Sequence, residues 1–448
     1  METEHKTKAD MPGGCSSEWV GPWTKGLRLS APVPLATLRA DLAEHPRRLD
    51  DPLFSFPLLM LDDDALTHNI TTMTEACARY GVRHAPHVKT TMSADLWRRQ
   101  EEAGAWAATV ATATQLRTVR SWGARRILLA NELVDVRDMT ALAEDMAGDP
   151  AMQVWMEVDS IVGVEVLDAV FAQADPQVRQ RMHPLVELGV KGGRTGTRAM
   201  QEAVAVATRL MNTGLGVAGV AGYEGPVAND ASPESLAAVA EWLDTFVDAV
   251  SVVADVSGHW QDAAGAALSD EESFIVTVGG SAYLDVVLPA LGRCAVRGWT
   301  AVVRAGSYVT HDHGHYAEVN PWSRLPGDDE LWPALTIGAT VLSTPEAHLA
   351  LLGVGRRDTS FDAGLPRPLC WRRLGTEGRL GPAQRFGDRA RVRDLNDQHA
   401  FLDLGDERIA PGNLVALGVS HPCTTFDKWR IAALTRGDDI TDLYPLDF

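Results

Sequence analysis

From residue 84 onward, short apolar runs of strand length take turns with helical stretches, and they do so eight times. The runs are 84–89, 107–112, 126–131, 153–159, 183–189, 216–223, 274–280 and 300–308. Helical periodicity fills 93–103, 113–122, 135–147, 160–173, 198–212, 232–256 and 282–292 between them. Strands this apolar are buried on both faces, and strands of that kind run parallel and need crossover helices to connect them. Eight βα units in succession fit an α/β chain that closes a (β/α)8 barrel of the TIM type. A doubly wound open sheet has the same periodicity, but the count of eight favours closure.

The alternation stops after about residue 316. Prolines, glycines and β-rich runs at 335–343, 347–354, 399–404 and 413–419 replace it, which reads as a mostly β second domain. Upstream, 57–62 reads as a buried strand that the β domain recruits, and 65–80 as a helix stopped by Gly81. Residues 1 to about 20 read as disordered, with Trp19 to Trp23 as a docking segment. A chain of 448 residues is too long for a single core. The expected division is an N-terminal extension (1–56) partly packed on the β domain, a cofactor-binding barrel (57–315) and a mostly β domain (316–448).

Lys+Arg 41 against Asp+Glu 60 leaves a net charge of -19, which argues against nucleic acid and against anionic membrane surfaces as partners. The five cysteines at 15, 77, 294, 370 and 423 are odd in number and show no CxxC spacing. That pattern points to reduced thiols in the cytoplasm. No apolar run is long enough to cross a bilayer, and the polar first 17 residues have no signal core.

In a barrel, reactive groups sit at the C-terminal strand ends. The first run ends on Lys89; a lysine there, with its stem packed, loses basicity and can form an imine with a carbonyl cofactor. The seventh ends on Gly279-Gly280-Ser281 ahead of a helix, where bare backbone N–H groups can meet a phosphate. A tight turn capped by Ser281 explains the same residues equally well. A lysine at one side and a phosphate cup at the other together point to pyridoxal 5′-phosphate. Arg194, in a glycine-rich loop, is a candidate for the cofactor's phenolic oxygen or the lysine, and Tyr223 and Tyr308 are candidates for stacking or hydrogen bonding. The run His311-Asp312-His313-Gly314-His315 suits an exposed loop better than a metal. His421 and Cys423, two apart on a segment read as extended, face the same side and can grip one ion. Their N and S donors suit Zn²⁺ with open positions, as a catalytic zinc requires.

Pro86-His87-Val88-Lys89-Thr90 resembles the lysine element of the D-threonine aldolase and D-serine dehydratase group, pyridoxal-phosphate enzymes of the alanine-racemase fold type (fold type III). The similarity runs on through Thr109–Thr112, Leu128–Glu132, Gly279–Ser281 and Arg304–Tyr308, and ends with Ser420–Trp429. Thr91, Ala305 and the histidine run depart from the group's pattern. The resemblance implies an alanine-racemase-like barrel plus β domain and a homodimer with its site near the interface. It implies Lys89 as the cofactor lysine and catalytic base, His421 and Cys423 as the metal ligands, and a small D-amino acid as substrate. In that group a His–Cys pair holding zinc goes with dehydratases and a His–Asp pair with aldolases. The expected reaction is therefore the lyase one: β-elimination of a D-3-hydroxyamino acid such as D-serine to a 2-oxo acid and ammonia. A retro-aldol enzyme is the alternative. A racemase would need a second base and leaves the metal pair without a use. A non-catalytic cofactor-binding barrel would lack the β domain.

Overall fold

A computed structural model describes residues 18–258, 274–327, 329–375 and 377–448. The disorder expected of the first residues, and the surroundings of Cys15, lie outside that set. Eight parallel strands form one sheet: Arg83–His84, Ala108–Val110, Arg126–Leu129, Gln153–Val158, Met182–Leu188, Gly219–Gly222, Ile275–Val278 and Thr300–Val303. The eighth pairs with the first through Val303 and His84. The ring closes between the first two, where His87 bridges Thr109 and the Thr109 N–H donates to the Pro86 carbonyl at 2.9 Å. This is the (β/α)8 barrel that the alternation predicts.

The intervening helices begin where the sequence offers caps. Side chains of Thr112, Asp135, Ser160 and Ser232 each accept a backbone N–H in the first turn of the helix that follows. Each such cap stabilises its helix by about 1 kcal/mol. Inside the barrel, the Trp106 ring packs tilted against Trp155 at 4.6 Å, and Trp155 stacks on His183 at 4.7 Å. With Leu128, Leu185, Ile275 and Val302 they fill the lower interior. A barrel so filled is solid below, and only its mouth is free to hold a ligand.

The second sheet has Leu335–Glu346 near its middle, flanked by Leu414–Gly418 on one side and Leu58–Asp62 on the other. Leu58–Asp62 also pairs in parallel with Ile431–Arg436. A boundary drawn at residue 57 therefore cuts through the β domain. The strand is buried from Leu58 to Leu61 and has partners on both sides only in that sheet, and the chain enters the barrel domain at Asp63. The N-terminal segment packs on the same sheet. Leu35 and Leu42 of the helix Leu35–Glu44 join Phe54, Met60, Ile431 and Leu443 in one apolar cluster.

Candidate active site

The first and eighth strands both end in a single turn of 3₁₀ helix, Val88–Thr90 and Ser307–Val309. The two turns touch. A Cβ on Gly306 would lie 2.5 Å from the His87 carbonyl oxygen, so only glycine permits this approach. Met92 and His311, just beyond the turns, hold positive φ of 40° and 46°. Strained backbone of this kind persists where the surrounding fold over-determines it. Lys89 is thus on a tight turn rather than at the end of a strand.

Lys89, Arg194, Tyr223, Gly279, Gly280, Ser281, His421 and Cys423 all line one cavity of about 470 Å³ at the barrel mouth. Such a volume holds one cofactor with a small substrate. Burial lowers the pKa of Lys89; Cys423 pulls it upward, and Arg194 and Arg304 add to the lowering. Arg194 lies over the ring of Tyr223 at 4.6 Å. Gly279 has φ +106°, and a Cβ on Gly280 would meet the Tyr223 ring at 2.9 Å. Backbone without side chains therefore lines the cavity at Gly279 and Gly280, where the Gly280 N–H donates to Glu224 Oε1 at 3.0 Å. The helix after it begins at Leu284 with Tyr283 as its cap, so Ser281 is no N-cap. An amine of lowered basicity, an arginine and a side-chain-free cradle around one cavity fit pyridoxal 5′-phosphate.

Tyr308 does not reach the cavity. Its side chain is buried, its hydroxyl accepts from Gln100 Nε2 at 2.8 Å, and its ring stands edge-on to His84 at 4.8 Å. The neighbouring Ser307 and the later Tyr316 line the cavity instead. His421 and Cys423 are not on an extended segment, because Pro422 adopts helical angles and Cys423 opens the short helix Cys423–Phe426. Both still face the cavity. Burial opposes ionisation of Cys423, yet hydrogen bonds with His421 and Thr90 bring its pKa below the ordinary thiol value. His421 is pushed up to about 9 by its hydrogen bond with Cys423, against burial and with help from Asp362. A histidine beside a readily ionised thiol is a donor set that fits a zinc-like ion.

Two charged residues of the cavity wall, Glu157 and Arg304, lie outside the residues read from the sequence as functional. Glu157 and Arg304 are 3% and 5% exposed, and Arg304 Nη1 donates to Glu157 Oε1 at 2.6 Å across the barrel. Arg304 also donates to the Gly222 carbonyl. A charge inside an otherwise apolar strand is the signal that finds them. Glu132, Asp159 and Glu187 bring their carboxylates within 4.8 Å of one another beside the cavity. Burial, then Asp159, pushes Glu132 up to about 9; burial, then Glu157, pushes Glu187 up to about 7.

A closed parallel barrel with a lysine at its mouth, joined to a β domain, defines an enzyme of the alanine-racemase type, fold type III of the pyridoxal-phosphate enzymes. The alanine racemase N-terminal domain model matches residues 61–285, half of the chain, and the chain belongs to that family. A second model, "Putative serine dehydratase domain", matches residues 334–435. The chain is 25% identical to a 3-hydroxy-D-aspartate aldolase of Paracoccus denitrificans (strain Pd 1222), over 71% of this chain and 76% of that one. It is 28% identical to a D-threo-3-hydroxyaspartate dehydratase of Delftia sp. (strain HT23), over 41% of this chain and 47% of that one. Both relatives are lyases by name. In structure it resembles a D-threonine aldolase from Filomicrobium marinum, at a TM-score of 0.70 and 21% identity over 88% of this chain and 95% of that one. A cysteine-to-alanine form of a D-threo-3-hydroxyaspartate dehydratase, solved metal-free, aligns at 0.68 and 21% identity over 90% and 99%. Among the described residues, no helix is long and apolar enough to cross a membrane.

Proposed function

We propose that this protein is a pyridoxal-phosphate- and zinc-dependent lyase that eliminates water from a D-3-hydroxyamino acid, giving a 2-oxo acid and ammonia. The observation that carries the reading is the sharing of one cavity by Lys89, the Gly279-Gly280 cradle and the His421–Cys423 pair. The names of the relatives support a D-hydroxyamino acid as substrate and add D-3-hydroxyaspartate to the candidates. A metal-free cysteine variant of a dehydratase of this fold supports a metal held through a cysteine.

Lys89, Arg194, Tyr223, Gly279, Gly280 and Ser281 would hold the cofactor, and His421 and Cys423 the metal. The cofactor, when bound, supplies an electron sink for charge developing at the substrate Cα. The metal, when bound, is a Lewis acid for the β-hydroxyl. Lys89 removes the Cα proton, a task suited to an amine whose basicity burial has lowered. The stacked Arg194 and Tyr223 orient the ring, and the apolar barrel floor keeps water from below. The resemblance carries a homodimer with it, which light scattering on the purified protein checks.

Retro-aldol cleavage is the second reading, favoured by the Paracoccus relative. Mass spectrometry of products separates the two. From D-threonine, dehydration yields 2-oxobutanoate, whereas cleavage yields glycine and acetaldehyde. From D-threo-3-hydroxyaspartate, dehydration yields oxaloacetate, whereas cleavage yields glycine and glyoxylate. Glycine from either substrate, with no 2-oxobutanoate from D-threonine and no oxaloacetate from D-threo-3-hydroxyaspartate, would overturn the dehydratase reading.

A further inference from the structure

The segment around Ser360 and Asp362 runs beside the one that carries His421 and Cys423, and hydrogen bonds tie the two together. The His421 N–H donates to Ser360 Oγ at 3.1 Å, and the Ser360 N–H donates to Thr425 Oγ1 at 3.1 Å. Thr425 Oγ1 in turn donates to the His421 carbonyl at 2.9 Å. The Ser420 hydroxyl donates to the Gly364 carbonyl. At the end of this seam, His421 Nδ1 meets Asp362 Oδ2 at 2.7 Å, and Thr424 Oγ1 donates to Asp362 Oδ1 at 2.8 Å.

An ionised carboxylate can only accept, so the proton in the first contact is on Nδ1. Asp362 is thereby held at both oxygens, by His421 and by Thr424. The imidazole is fixed in one orientation, and Nε2 is the nitrogen that remains for Cys423 or for an ion held between the two.

We propose that Asp362 is the positioning residue of the metal pair: by accepting the Nδ1 proton of His421 it presents Nε2 to a divalent cation shared with Cys423. The inference rests on the metal-pair reading above. A carboxylate behind a ligating histidine sets ring direction and raises donor strength, and its loss typically weakens metal binding 10- to 100-fold. The Asp362 side chain is 47% exposed, so its replacement leaves no buried void.

The test measures Zn²⁺ affinity by competition with a chromophoric chelator, on the full-length, cofactor-loaded chain. Wild type, Asp362→Ala, Asp362→Glu and His421→Ala are compared, with cofactor absorbance and melting temperature recorded for each. Asp362→Ala is expected to bind Zn²⁺ about 10- to 100-fold more weakly, with absorbance and melting temperature unchanged. Asp362→Glu is expected to recover part of the loss, and His421→Ala to lose the ion. Wild-type affinity in Asp362→Ala alongside loss in His421→Ala would overturn the positioning role alone. Wild-type affinity in His421→Ala, or no Zn²⁺ on the wild type, would overturn the metal pair and the role of Asp362 with it.

Discussion

Cys423 Sγ lies 3.3 Å from Thr90 Oγ1, so the cysteine of the β domain hydrogen-bonds the residue next to Lys89 on the barrel. Ser307 Oγ approaches the same sulfur at 3.6 Å from the other 3₁₀ turn. The proposed metal pair and the lysine are therefore parts of one packed unit.

Replacing Thr90 by valine keeps the shape and removes the hydroxyl. A hydrogen bond to a charged group contributes about 1.5–3 kcal/mol, so the Cys423 thiolate should become about 10- to 100-fold harder to use as a ligand. Chelator competition should show weaker Zn²⁺ binding, while cofactor absorbance stays, because Lys89 is untouched. Unchanged affinity would show that the contact is packing alone.

Lys89→Ala should abolish both the covalent cofactor signal in the visible spectrum and turnover. The fold should persist, since Lys89 is only partly buried and makes no ion pair among the described residues. Cofactor still covalently bound in this variant would move the attachment to another lysine.

Arg304→Met should destabilise the barrel by about 3–5 kcal/mol, because it strands the buried Glu157 carboxylate. Burial raises the pKa of Glu157, and Arg304 is the largest influence lowering it. The double variant Arg304→Met/Glu157→Leu should melt closer to wild type than the single one does. If the single variant melted like wild type, the pair would be unimportant for stability.

Acid should weaken the fold through His84. Its pKa is lowered to about 4 from 6.5 by burial, while Nε2 donates to the Ala305 carbonyl at 2.9 Å. The unfolded chain takes up this proton first. The stability tied to neutral His84 is thus complete above pH 6.5 and declines as the pH falls toward 4, by about 3 kcal/mol in all. Melting temperatures across that window should fall less steeply for His84→Gln, which keeps a donor and cannot titrate there. Parallel curves would assign the acid loss to other groups.

The eight strands were legible because apolar runs and helical periodicity are local properties, and several crossover helices start at a cap such as Thr112 or Ser160. Lys89 was legible through its motif. Tyr308 misled because it reads as the end of the eighth strand, where the chain has already turned into 3₁₀ helix. In a 3₁₀ turn successive side chains rotate by about 120°, so Ser307 faces the cavity and Tyr308 packs toward Gln100. Asp362 had no local mark at all; its meaning arises only where the fold lays it beside His421. Glu157 and Arg304 were visible as charges inside apolar runs, but only barrel closure shows that they are partners.

Leu61 and Leu335 are paired neighbours in the β domain's sheet, and the whole barrel leaves from one and returns to the other. The barrel is thus an insertion whose two ends meet side by side. A nascent chain must emit the central strand Leu58–Asp62 long before either of its flanking strands exists. The β domain, with the proposed metal pair it brings to the barrel mouth, can assemble only at the end of synthesis. Lys89 is made early and covered late, so an incomplete chain has no finished cavity around it.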